Sequence, residues 1–253
     1  MSVIVTAEYF DQWYADIAAS GPRQRLFTEL LGVPAEVGPS NSVPLTGLVA
    51  VAGALGLTAG DTLVDLACGR GGPGMWIARQ TGAELVGIDF SAEAIAQASE
   101  RRTLFGLESS ATFAVGTLED TGLATGIADA VVCVDAIQFA TDGVAAAQEI
   151  RRILRRGGRV VLTSWEARDR SDESMPERIR KVDLAGWLEA AGFTTIVIHD
   201  QADWHEVSRR LWETAMSLDV GDDPALASTR AEAERSLANH DGFLRRMATA
   251  VAP

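Results

Sequence analysis

Short apolar runs alternate with segments of helical period from residue 60 onward. The runs Thr62–Leu66, Glu84–Asp89, Thr112–Val115, Ala130–Val134, Arg159–Thr163 and Phe193–Ile198 are too short for buried helices and are bounded by turn residues. They therefore read as strands. Between them, Pro73-Gly74 opens a helix that continues through Met75, Trp76, Ile77 and Ala78. Ser91 as N-cap and Glu93 in the first turn start the next helix. A helix from about Gly143 to Leu154 leads through Gly157-Gly158 into the fifth strand, and one over Val182–Ala191 stops at Gly192. This alternation predicts an α/β protein with a doubly wound sheet.

Two segments break the pattern. The first 55 residues hold an amphipathic start, Tyr9–Ala18, a Gly/Pro-punctuated stretch, Gly32–Pro44, and a helix near Leu45–Leu55. After the sixth strand come helical patterns at about Trp204–Leu218 and Pro224–Asn239, and Phe243–Val251 reads as a last strand. Arg168–Arg180 is charged and is expected to be an exposed loop.

Composition narrows the function classes. A chain of 253 residues with 47% hydrophobic and 23% charged residues buries a large core without disulfide staples. Its formal net charge of -13 argues against sequence-independent binding to nucleic acid or anionic lipid, and suits a cationic or neutral small molecule. Cys68 and Cys133 sit near strand ends and read as buried thiols, with no disulfide and no metal site expected. No basic-then-apolar leader opens the sequence and no apolar run reaches membrane-spanning length, which predicts a cytoplasmic protein.

The chemistry concentrates at one turn. Gly69, Gly71 and Gly74 spell G-x-G-x-x-G between a strand and a helix, and Asp89 ends the second strand twenty residues after Gly69. Glycines there let backbone approach a ligand, and the acid accepts hydrogen bonds from ribose hydroxyls, so the turn suits an adenosine-containing cofactor. Those features alone also fit an NAD(P)-dependent oxidoreductase. Asp65, four residues before Gly69 in Asp65-Leu-Ala-Cys-Gly-Arg-Gly71, speaks against it.

With that acid, the segment resembles the first motif of the class I S-adenosylmethionine-dependent methyltransferases of small-molecule type. Further landmarks are similar in order and spacing: Asp89, Val115–Leu123, Ala128–Phe139, Arg151–Leu162 with its double glycine, and Leu188–Phe193. The resemblance runs from Asp61 to Gly192. It implies a Rossmann-like sheet of seven strands, mostly parallel with an antiparallel last strand. It divides the chain into an N-terminal helical lid, 1–55, and a core, 56–253, with a helical insertion at about 202–240. It also implies S-adenosylmethionine as cofactor, held by Asp65, Ala67, Gly69 and Gly71 of the first motif and by Asp89 and Phe90. Thr117, Leu118 and Glu119 of the third-strand loop would frame the adenine. Many members carry an acid where Thr117 stands, a role that Glu119 or Asp120 can take. Asp135 matches the acidic position of the fourth-strand motif.

Tyr9-Phe-Asp-Gln-Trp-Tyr-Ala-Asp16 looks like the family's closing helix, with Tyr14 on the methionyl end of the cofactor; the same aromatics also suit an apolar face docking on the sheet. For proton transfer to a base, His199 and His205 are the candidates, since imidazole titrates near pH ~6.5. Gln138, where many relatives have histidine, can orient an acceptor. Trp165, Trp204 and Trp212 either line an aromatic pocket or anchor the core. The expected partner is a small-molecule acceptor methylated on O, N or C, in specialised metabolism. A cyclase or binding protein that keeps the cofactor without methylating is the second alternative.

Overall fold

The computed structural model describes residues 6–253, so the first five positions of the expected lid lie outside the described residues. Strand β1 (Thr62–Leu66) is buried along nearly its whole length, which requires cover on both faces. Beside it lie β2 (Glu84–Asp89), β3 (Ala111–Val115), β4 (Ala128–Val134) and β5 (Leu154–Ala167), all parallel. β6 (Thr194–Asp200) and β7 (Phe243–Val251) complete a sheet of order β3-β2-β1-β4-β5-β7-β6, with β7 antiparallel to both neighbours. The order reverses between β1 and β4, the place where open α/β sheets form a ligand crevice at their carboxyl edge.

Helices cover both faces. Leu63, Leu85, Val132 and Val161 pack against α3 (Leu45–Leu55), α4 (Gly72–Thr81) and α9 (Ala202–Ser217). The alternate positions Val64, Leu66, Val131, Val160 and Leu162 pack against α6 (Gly143–Ile153) and α8 (Leu184–Ala190). The switch of face at each residue is the period-two geometry of strands. Cys68 and Cys133 are free and buried, as expected. Among the described residues, no helix is long and apolar enough to cross a membrane.

The N-terminal segment is more helical than its sequence pattern suggests. After α1 (Ala7–Ala19), Ser20 ends one helix and caps the next, α2 (Gly21–Leu31). The Ser20-Gly-Pro22 sequence is a readable start signal, masked by the weak apolar period of α2 itself. Arg23 of α2 is buried, its guanidinium 3.9 Å from the centroid of the Phe27 ring. It donates to Thr229 Oγ1 of α10 (Pro224–Ala238) at 3.2 Å and to the Pro39 carbonyl at 3.2 Å. Ser20 donates to Asp223 at 2.5 Å. The first helices and the last one are thus tied together across the sequence.

Several boundaries differ from expectation, among them the start of β5, which takes in Leu154–Gly158. β5 runs on to Ala167 because β7 pairs with it from Arg159↔Val251 to Ala167↔Phe243, a tertiary effect. β6 ends two residues later than predicted, taking in His199. Arg168–Arg180 is only partly loop: α7 (Glu177–Arg180) lies within it, and Met175 and Ile179 bury against Ala167 and Phe243. With α5 (Ala92–Arg101), the described residues hold ten α-helices.

Two glycines test the packing in opposite directions. A Cβ on Gly72 would stand 1.9 Å from the Val37 carbonyl oxygen, whereas one on Gly53, inside α3, meets nothing within 4 Å. Gly72→Ala is expected to cost about 2 kcal/mol or more, and Gly53→Ala to add about 0.5–1 kcal/mol. Thermal denaturation should move the two midpoints in opposite directions.

Candidate active site

The site forms where β1 and β4 end. The first residue beyond each strand, Ala67 and Asp135, is left-handed, with φ of 52° and 57°. Non-glycine residues hold this conformation only when their surroundings impose it, and such strain gathers at functional turns. After Ala67 the chain bends sharply: Gly69 and Gly71 have φ of 54° and 74°, and Gly71 N–H donates to the Cys68 carbonyl at 2.9 Å.

Two acids organise this turn. Asp89 Oδ2 accepts from Gly69 N–H at 2.8 Å and its Oδ1 accepts from Ser91 N–H at 2.9 Å. Burial pushes its carboxyl up, while these backbone donors hold it down. Asp65 is buried beneath α4, and its Oδ2 has no hydrogen-bond partner. Burial, with the charge of Asp89 added, pushes the Asp65 carboxyl up to about 8. Gly74 is the glycine that makes this possible, since a Cβ there would stand 2.3 Å from Asp65 Oδ2. The third glycine of the G-x-G-x-x-G pattern therefore makes room for a carboxylate.

α1 lies across the turn. A Cβ on Gly69 would stand 2.7 Å from the Tyr14 hydroxyl oxygen, so this glycine is where the buried tyrosine reaches the turn. Burial, and then the charge of Asp89, keeps the Tyr14 phenol protonated well above its ordinary range. Asp11 accepts from Ser91 Oγ at 2.5 Å and from Glu93 N–H at 3.3 Å, adding a charge to the N-terminus of α5. Phe10 packs between Phe90 and Phe139, with ring centroids 5.3 and 5.6 Å away.

Basic groups stand beside the turn. Arg70 is half-buried with its Nε unpartnered. Arg101 fixes the loop by donating to the Arg70 carbonyl at 2.5 Å and to the Glu36 carbonyl at 2.6 Å. Burial lowers both guanidinium pKa values, that of Arg101 to about 10. Sequence reasoning missed Arg70 and Asp11; the signal for Arg70 was its place between the two left-handed glycines.

The remaining candidates occupy varied surroundings. Thr117 forms a closed, exposed turn with Asp120, whose N–H donates to its hydroxyl at 3.0 Å. Leu118 is buried in the core on the α6 side, and Glu119 accepts from the N–H groups of Thr141 and Asp142 at 2.6 and 3.3 Å. Asp135 Oδ1 accepts from Thr163 Oγ1 at 2.7 Å, and its Oδ2 is ion-paired with the buried Arg245 at 2.5 Å. Gln138 is engaged at both ends, donating to the Asp135 carbonyl at 2.6 Å and accepting from Ser164 Oγ at 2.9 Å. It braces the left-handed turn at Asp135. His205 packs edge-on to Trp165 at 5.3 Å and stacks on His240 at 3.9 Å. Burial, then the neighbouring His240, lowers its pKa to about 4, so the ring is neutral at pH 7. His199 is exposed on β6, the sheet's edge, three strands from β4 and hence about 14 Å away. Trp204 and Trp212 are buried in the core under α9. Tyr14, Asp65, Ala67, Gly69, Gly71, Asp89 and Phe90 thus come together around one turn with Asp135 at the adjacent strand end, and His199 does not join them.

Residues 64–162 match the family model described as a methyltransferase domain. Sterol 24-C-methyltransferase ERG6 of Saccharomyces cerevisiae is 28% identical over 164 residues, covering 58% of this chain and 43% of the yeast protein. The match thus spans less than half of that relative's length. Among solved structures, phosphoethanolamine N-methyltransferase 2 of Haemonchus contortus, in complex with S-adenosyl-L-methionine, gives a TM-score of 0.76 at 18% identity, over 99% of this chain and 61% of that one. The [4+2]-cyclase SpnF gives 0.75 at 20% identity, over 100% and 98%. At these identities the two structures establish the fold. The matched residues begin in β1 and end in β5, and so enclose the glycine turn, Asp89 and the crevice between β1 and β4. Residues 64–162 thus match a methyltransferase domain, and they lie in a sheet of the same fold as these two structures.

Proposed function

We propose that the protein transfers the methyl group of S-adenosylmethionine to a small molecule of specialised metabolism, in the cytoplasm, with the donor seated over the Gly69–Gly71 turn. The observation that carries this reading is the buried, unpartnered oxygen of Asp65. A buried carboxylate without a donor is costly, and a ligand ammonium group removes that cost. The donor, when bound, supplies an electrophilic methyl on a sulfonium. Asp65 would take its ammonium group and Arg70 its carboxylate. Asp89 keeps lone pairs free for the ribose hydroxyls beside its backbone bonds. A dinucleotide fits poorly, because its diphosphate would meet two buried acids rather than a ring of free N–H groups.

The acceptor's size is bounded by the elements around the crevice. α1, α2 and the 38–44 loop on one side, and α9 and α10 on the other, are joined by the Arg23–Thr229 and Ser20–Asp223 bonds. In this reading they form the lid and insertion that exclude water from the transfer. Such cover suits a small molecule rather than a polymer.

Calorimetry should show binding of S-adenosylhomocysteine, lost or weakened at least about tenfold in Asp89→Ala. Binding of NADH without binding of S-adenosylhomocysteine would overturn the assignment. Transfer of labelled methyl from S-adenosylmethionine into an acceptor extract separates a methyltransferase from a non-methylating member of the fold, and mass spectrometry of the product names the methylated atom.

Asp65 sets a pH signature. Its folded pKa of about 8 lies above the ordinary carboxylate value, so the ligand-free protein loses stability as pH rises through that interval. Asp65→Asn removes this loss. Its melting temperature should exceed that of the parent by a margin that grows from pH 5 to pH 8.5. Ammonium binding favours the ionised acid, so the parent's affinity for S-adenosylhomocysteine should rise with pH towards 8, and that of Asp65→Asn should be weaker and flatter.

A further inference from the structure

Arg245 is among the largest fully buried side chains of the protein. Its Nη2 donates to Asp135 Oδ2 at 2.5 Å, while Nε and Nη1 are buried without any partner. The guanidinium lies over the Trp165 ring, 4.6 Å from its centroid, because Trp165 and Arg245 are register partners across β5 and β7. His205 meets the same indole at 5.3 Å, and its Nε2 is also buried and unpartnered. The outer side of His205 lines a surface cleft of about 590 Å³ with Arg168, Glu206, Arg209 and His240 among its walls. A line of contacts therefore runs from solvent through His205, Trp165 and Arg245 to Asp135, at the strand end beside the glycine turn.

An ion pair built only for stability would use more of the guanidinium. Each buried polar atom left unpaired costs on the order of 1–3 kcal/mol. Three such nitrogens, two on Arg245 and one on His205, surround one indole and call for an explanation.

We propose that Trp165, Arg245 and His205 form the acceptor site, and that it takes a small acidic molecule. In this arrangement Arg245 binds a carboxylate or enolate oxygen, the indole supports the ligand's flat face, and His205 Nε2 accepts a hydrogen bond from its hydroxyl. The inference rests on the methyl-donor reading and extends it to the class of acceptor. The donor set supports an acid: Arg245, bonded to Asp135 through Nη2 alone, has two further nitrogens to offer a carboxylate. A chain of net charge -13 repels acids at long range, and a desolvated guanidinium supplies the compensating attraction. A neutral imidazole has one nitrogen able to accept, and Nε2 is the buried, unpartnered nitrogen of His205.

The test uses protein saturated with S-adenosylhomocysteine and titrated calorimetrically with 2-, 3- and 4-hydroxybenzoate, each compared with phenol. At least one hydroxybenzoate should bind about tenfold or more tightly than phenol. Arg245→Gln should abolish that preference. Arg245→Lys keeps a cation against Asp135 but offers a single nitrogen, and should reduce the preference at least about fivefold. Binding of S-adenosylhomocysteine by each variant reports that it is folded. If the parent binds S-adenosylhomocysteine but favours no hydroxybenzoate over phenol, the acidic-acceptor proposal is wrong. Preference retained by both folded variants would equally remove Arg245 from it. Failure of the parent to bind S-adenosylhomocysteine overturns the donor reading instead.

Discussion

The structure turns on the burial of two carboxylates under one bend of backbone. Asp65 and Asp89 lie at the ends of neighbouring parallel strands, and each is desolvated. Like charges in low dielectric repel, so both survive only where dipoles or a ligand answer them. Asp89 is answered by backbone N–H groups from the turn and from the start of α5. Those bonds in turn fix the path of residues 69–71 and the entry of the helix behind it. Asp65 is left with an unanswered oxygen, and the missing side chain at Gly74 is what lets it stay. Turn, helix start and the contact of α1 all depend on where these two acids lie.

Across the crevice the balance is reversed. There a buried cation, Arg245, exceeds what Asp135 and its surroundings satisfy. One wall of the site lacks positive charge and the other lacks an acceptor. Gln138, Thr163 and Ser164 hold Asp135 in its strained backbone by hydrogen bonds that reach both its main chain and its side chain. That bracing keeps the ion pair at the strand end rather than letting it relax towards solvent.

Much of this was legible in the residues. The parallel strands, the glycine turn, Asp65 and Asp89 are local in sequence, and their spacing carries their roles. The arginine in Phe243-Leu-Arg-Arg-Met247 is different. Strand alternation alone does not say that Arg245 faces an indole while Arg246 pairs with Glu166 and Asp200 at the partly exposed side. Its meaning depends on the β5–β7 register, which is set by contacts more than seventy residues apart. His205 illustrates the converse. Its residue type suggested a base titrating near neutrality, but burial and packing on His240 move it out of that range. Ser20, which both ends α1 and starts α2, was readable as a cap and was hidden only by the faint periodicity of α2.

The sheet order has a bearing on how the molecule is made. β7 comes after every other strand in sequence, yet it lies between β5 and β6. β6 has no pairing partner but β7 among the described residues, and Asp135 has no guanidinium until β7 is in place. A ribosome releases the glycine turn and its two acids long before it releases β7. The half of the crevice that holds those acids can therefore form while the chain is still growing, whereas the half built on Trp165 and Arg245 is assembled only when the final strand slides between two edges already synthesised.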